Sequence, residues 1–184
     1  MKRTKVSALM IPLDDYATVG LEATLYDAVE RLEACDQNLD NGRVVHRAVL
    51  VLDNGQKVVG ILTQFEMIRA LEPKYTGIAK YGFLSHHGIN VDFIRSLVKD
   101  QGLWQDTIEN ICSTASHIHV ADVMDELRPE MFVPADSSLD EAMHQMVMGR
   151  LPNLLCTEGG QVVGVLRIAD AFDHVCRLIK ACKI

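Results

Sequence analysis

The apolar and polar positions of this chain alternate between short strands and short helices. Leu9, Met10 and Ile11 begin the first element, and Pro12 stops any helix there. Tyr16 to Gly20 reads as a short extended segment. Thr24 then stands as an N-cap, with Leu25, Ala28, Val29 and Leu32 following at helical spacing. Asp27, at the third helical position, places a carboxylate where it favours the helix start. Asp36 to Gly42 is polar and turn-rich. His46 to Leu52 is a compact apolar strand. Asp53-Asn54-Gly55 is a hairpin turn, since Asn and Gly tolerate positive φ, and Lys57 to Leu62 is the returning strand. Thr63 opens a second helix through Phe65, Met67, Ile68 and Leu71, closed near Pro73.

The whole order then returns. Phe132-Val133-Pro134 is extended, and Ser138 caps a helix carrying Leu139, Ala142, Met143 and Met146, which Gly149 ends. Leu151 to Cys156 is a strand, Glu158-Gly159-Gly160 a turn, Gln161 to Leu166 the return strand and Ile168 to Ile179 the last helix. Val6-Ser7-Ala8-Leu9-Met10 recurs as Val120-Ala121-Asp122-Val123-Met124, an offset of 114 residues, and Thr24-Leu25 recurs as Ser138-Leu139. Val58-Val59-Gly60-Ile61-Leu62 recurs as Val162-Val163-Gly164-Val165-Leu166, now offset by 104, so the first copy holds the extra residues. A layer of about 60 residues is small to be stable alone, so the two copies are expected to share an interface. Twin halves of this kind tend to pack about a pseudo-twofold axis, with paired clefts between them.

The connector from Glu72 to His119 is longer than an ordinary loop and calls for structure of its own. Asn90-Val91-Asp92 opens an expected helix bearing Val91, Ile94, Leu97 and Val98. Leu103, Trp104, Ile108 and Ile111 suggest a second helical stretch after Gly102. These faces are expected to pack on their own domain, a dimer contact being the alternative.

Composition narrows the function. A hydrophobic share of 48% and a charged share of 23% are those of an ordinary globular protein. A net charge of -7 argues against bulk nucleic-acid binding, which usually needs a positive surface. No run of apolar residues is long enough to span a membrane, and Met1-Lys2-Arg3-Thr4-Lys5 lacks the apolar stretch of a secretory signal. Five irregularly spaced cysteines describe no disulfide framework and suit a cytoplasmic protein with reduced thiols.

The corner after each hairpin carries the most specific chemistry. Gly60-Ile61-Leu62-Thr63-Gln64-Phe65-Glu66 in copy one matches Gly164-Val165-Leu166-Arg167-Ile168-Ala169-Asp170 in copy two. Each is a strand running into a helix N-terminus, which suits an anion, with a carboxylate three residues on that can accept hydrogen bonds from adjacent hydroxyls. Thr63 with Glu66 is equally a plain capping box. Arg167 is either a charge-assisted donor to a phosphate or the i,i+3 partner of Asp170.

These features together resemble a tandem pair of CBS domains, a Bateman module. The resemblance rests on Val-x-x-x-Met opening each copy, the capped helices at Thr24 and Ser138, the turn followed by Val-Val-Gly, and the acid after each corner. It implies an α/β (α+β) fold of two β-α-β-β-α units about a pseudo-twofold axis, with a partly helical connector. The domains would be 1–71, a connector 72–119, and 120–184. It implies a non-enzymatic regulatory module that binds AMP, ADP, ATP or S-adenosylmethionine between the two domains, forms a homodimer and signals to an effector protein. Carried over by resemblance, ribose and phosphate contacts fall at Thr63, Glu66, Arg167 and Asp170, and the base-binding walls at Val19, Gly20, Arg47, Ala48, Val133, Pro134, Leu151 and Pro152. Glu66 in place of the family's Asp, and Arg167 in place of Thr or Ser, depart from the pattern and favour the alternative of a ligand-free scaffold. No cofactor is implied beyond the nucleotide as regulatory ligand.

Other chemistry is less supported. His86, His87, His117 and His119 lie in the connector, but no Cys pair or carboxylate stands at ligand spacing beside them. His144 and His174 read as surface positions on helices. No nucleophile elbow, Walker loop or zinc-protease motif occurs, and Cys112 and Cys156 sit among apolar residues that make a thiol inert. Met143, Met146 and Met148 read as adaptable core.

Overall fold

The computed structural model describes residues 4–37, 47–72, 74–75, 102–104 and 107–182. In chain order these form β1 (Ile11–Pro12), β2 (Thr18–Gly20), α1 (Leu25–Gln37), β3 (Ala48–Leu52), β4 (Val58–Thr63), α2 (Gln64–Leu71), α3 (Ile108–His117), α4 (Val120–Val123), β5 (Asp125–Glu126), β6 (Phe132–Pro134), α5 (Leu139–Gly149), β7 (Asn153–Glu158), β8 (Gln161–Arg167) and α6 (Ile168–Ala181). Two four-stranded mixed sheets result, in the orders β2-β3-β4-β5 and β1-β8-β7-β6. Each has one parallel pair, β2 with β3 or β6 with β7, and antiparallel pairing elsewhere.

Each copy lends its first strand to the other's sheet. β1 pairs with β8, Pro12 opposite Gly164, and β5 pairs with β4, Gly60 opposite Glu126. The glycine of each Val-Val-Gly permits this approach. A Cβ on Gly164 would stand 2.5 Å from the Ile11 carbonyl oxygen and 3.1 Å from the Met10 sulfur, and one on Gly60 would strike the Met124 side chain. The methionine that opens one copy therefore lies on the glycine of the other.

β3 shows how the sheets are buried. Ala48 and Leu50 face a core shared with the second copy, while Val49 and Val51 face the core beneath α1 and α2. Burial on both faces accounts for the unbroken apolar run. The shared core takes Val6, Ile11 and Tyr16 from the N-terminal segment and packs them with Leu155 and Val165.

The helices start at their polar residues. The Thr24 N–H and hydroxyl both donate to Asp27 Oδ2 at 2.8 Å, and the Asp27 N–H returns to Thr24 Oγ1 at 3.2 Å. The Ser138 N–H donates to Glu141 at 3.2 Å. Two turns differ from expectation. Positive φ in the first hairpin falls on Gln56 (62°), because Asp53 Oδ1 gathers the N–H groups of Gly55 and Lys57 and shapes the loop. Gly149 stays inside α5, and the left-handed residue that ends it is Arg150 (φ 51°).

Of the second connector stretch, Ile108 and Ile111 lie on α3, which packs on α1 and α2 and puts Ala115 into the first copy's core, whereas Leu103 and Trp104 (φ 58°) lie in a turn before it. Glu72, 2% exposed, ties the start of the connector to Trp104 further along it, accepting the Trp104 N–H at 2.7 Å and the Lys74 N–H at 3.3 Å. The helix expected at Asn90 to Val98, the insertion around Asn38 to Arg43, His86 and His87 lie outside the described residues. Cys156 is buried, which pushes its thiol up to about 12, but Cys112 is exposed on α3. Met146 is core, whereas Met148 points to solvent. Among the described residues no helix is long and apolar enough to cross a membrane.

Candidate functional site

The β4–α2 and β8–α6 corners face each other across the pseudo-twofold axis. Register makes them equivalent: Ala48 pairs with Thr63 as Asn153 pairs with Arg167. Between them lies a cavity of about 170 Å³ lined by Arg47, Thr63 and Phe65 of the first copy and Pro152, Asn153 and Arg167 of the second. The starts of two helices and two arginines, Arg47 and Arg167, thus line one small space with mostly apolar walls.

At the first corner Thr63 caps α2. Its Oγ1 accepts the Phe65 N–H at 3.2 Å and its hydroxyl donates to the Glu66 carboxylate, which also accepts the Thr63 N–H at 3.1 Å. Glu66 is buried in this role. Asp125, from the exchanged strand β5, lies close by. Burial, and then the charge on Glu66, push its carboxyl above the usual range, while Arg69 and Arg128 pull it back.

The second corner has no such cap. Arg167, 3% exposed, turns onto Asp170 in a two-pronged ion pair, Nε to Oδ2 at 2.6 Å and Nη2 to Oδ1 at 2.8 Å. This is the i,i+3 pairing, and it engages both carboxylate oxygens. Tyr16, buried beside the pair, enters from the segment before β2. Burial pushes its phenol up, Arg167 pulls it down and Asp170 pushes it up.

Thr63, Arg167, Arg47 and Pro152 thus meet at the cavity, with Glu66 and Asp170 each bound to its own junction residue. Val19 and Gly20 pair with Val51 and Leu52, and Val133 and Pro134 with Cys156 and Thr157, at the hairpin ends of β3 and β7. That is about 10 Å along the sheet from the corners, at some 3.3 Å per strand residue. The side chains of Ala48, Leu151 and Val133 are in the core. Tyr16, Phe65 and Asn153 are site residues that no motif marks; Tyr16 reaches the second corner only because the N-terminal segment crosses to the other copy.

Among the described residues, His117 and His119 each sit against a different backbone carbonyl. His117 Nδ1 lies 2.7 Å from the Ser113 carbonyl oxygen, and His119 Nδ1 lies 3.3 Å from that of Glu22. Among the described residues no group of three or more His, Cys, Asp or Glu could hold a metal ion. His174 is half-buried rather than a surface position.

Comparison with known proteins places this geometry. No curated protein sequence matches the chain significantly. The CBS-pair protein CBSX2 from Arabidopsis thaliana is similar in structure, with a TM-score of 0.60 at 14% identity over 97% of this chain and 98% of that one. CBSX2 in complex with AMP aligns with a TM-score of 0.56 at 15% identity, over 95% and 98% of the two chains. A putative acetoin utilization protein (AcuB) from Vibrio cholerae aligns with a TM-score of 0.59 at 19% identity, over 96% and 93%. The CBS domain family model matches residues 6–73 and 120–177, the two repeats and most of the chain. The chain therefore belongs to the CBS domain family and is a tandem CBS pair.

Proposed function

We propose that this CBS pair is a non-enzymatic regulatory module that binds an adenosyl nucleotide (AMP, ADP, ATP or S-adenosylmethionine) between its two domains. The observation that carries the reading is the cavity on the axis, where Thr63, Arg47 and Arg167 meet two helix starts. At about 170 Å³ it is smaller than the roughly 300 Å³ of ordinary ligand pockets, so it suits a phosphate, with the adenosine extending beyond it. Binding exchanges partners: Arg167 turns from Asp170 to the phosphate, and Asp170 accepts the ribose hydroxyls. A CBS pair crystallised with AMP supports the ligand class. A ligand that touches both domains favours one relative orientation, which an effector protein senses.

The module acts as a homodimer. Phe65 (84% exposed) and Ile68 on α2, with Phe172 (63%) and Ile179 on α6, leave an apolar surface on two helices related by the axis. Such a surface matches a second copy of itself.

Calorimetric titration with AMP, ATP and S-adenosylmethionine tests the reading. At least one should bind, and Asp170→Ala should weaken it about ten-fold or more, the scale of hydrogen bonds to a charged group. Absence of heat and of thermal shift with all three ends it. The mutual engagement of Thr63 with Glu66 and Arg167 with Asp170 favours a second reading, a ligand-free scaffold. Crystals grown with millimolar AMP that keep the Arg167–Asp170 pair and an empty cavity would select it.

A further inference from the structure

We propose a second binding site, at the opposite end of the axis between the two β-hairpins, for a small organic anion with an apolar body. It does not depend on the nucleotide reading. Here the sheets part around a cavity of about 860 Å³, within the range of small-molecule sites. Its apolar walls match across the axis, Leu13 with Leu127 and Val58 with Val162, and Phe132 adds to them. Leu13, Leu127, Phe132 and Val162 pack against the shared core but remain only partly covered. A guest that covers them removes apolar surface from water.

The polar lining does not match. Lys57 stands where the second hairpin has Gln161, and among the described residues it is the one ionised side chain lining the cavity. No carboxylate of a described residue lines it, although the chain carries 25 acidic residues against 18 Lys and Arg. Asp53, nearest in sequence, is turned into its own loop, accepting the N–H groups of Gly55 at 2.8 Å and Lys57 at 2.9 Å. The Lys57 ammonium forms no ion pair among the described residues. An ammonium with no ion pair among the described residues, beside the apolar walls of the cavity, selects one negative head group carried on hydrocarbon, such as an aliphatic carboxylate.

The test titrates the full chain with octanoate, octylammonium and octanol, by calorimetry and by methyl NMR shifts. Octanoate should bind most tightly, with shifts centred on Val58 and Val162. Lys57→Gln should weaken octanoate about three- to five-fold, the scale of one exposed ion pair, and leave octanol unchanged. The proposal is overturned if octylammonium binds as tightly as octanoate, if Lys57→Gln leaves octanoate unaffected, if the shifts lie elsewhere, or if octanoate does not bind. AMP titrated into the Lys57→Gln protein reads the corner site separately, so the two proposals fail independently.

Discussion

At the β4–α2 corner a hydroxyl and a carboxylate cap the helix; at the β8–α6 corner a guanidinium and a carboxylate hold each other and leave the helix start uncapped by any side chain. The backbone is the same in both. It is set by register, since the strand ends opposite Ala48 in one copy and Asn153 in the other. Junction side chains are therefore free to differ. The first corner keeps two acids, Glu66 and Asp125, close enough to repel. The second neutralises its acid with Arg167. One corner is held by local hydrogen bonds, the other by an ion pair that a phosphate can compete for.

This contrast is most exposed to test at Arg167. Arg167→Met should destabilise the protein by about 3 kcal/mol in urea unfolding, because Asp170 keeps a poorly solvated charge without its partner. Adding Asp170→Asn should recover most of the loss. Next come the exchanged strands. Gly164→Ala should cost about 2 kcal/mol, since the new methyl meets the Ile11 carbonyl, and Gly60→Ala about 1 kcal/mol, since only the flexible Met124 must move. Equal losses would show that the two exchanges are equally rigid. Thr63→Ala should cost about 1 kcal/mol, the value of an N-cap, and well below Arg167→Met.

The smallest effect is at Asp125. Its carboxyl is raised in the folded state, so the folded protein holds that proton more tightly than the unfolded chain does. Stability therefore falls as pH rises from the ordinary value of 3.8 through the raised one. Asp125→Asn should remove that loss, a gain of at most about 0.5 kcal/mol at pH 7 on a partly exposed site, with none at pH 3. Unfolding midpoints at the two pH values measure it.

What could be read from the chain divides along the range of the interaction. Thr24, Ser138 and Thr63 announce their helices because each bonds groups within three residues. Arg167 with Asp170 is visible as a spacing, yet only burial decides between an ion pair and a waiting phosphate ligand. The family resemblance names Val19 and Val133 as base-binding walls, and register sets them about 10 Å along the sheet from the corners, a distance no local motif in the sequence conveys. Ile11-Pro12 carries no mark of its partner. Two residues offer too little pattern to specify a strand, and Gly164 is far away in sequence.

The crossing of the opening strands also imposes an order on assembly during synthesis. A nascent chain that has emerged as far as Leu71 holds three strands of one sheet, and the outer edge of β4 stays bare until Asp125 and Glu126 arrive. The segment carrying Ile11 and Pro12 waits longer, for Gly164 and Val165 of the second copy. β1 is seated only when β8 arrives, so a chain halted between the two copies presents an unpaired edge to its neighbours.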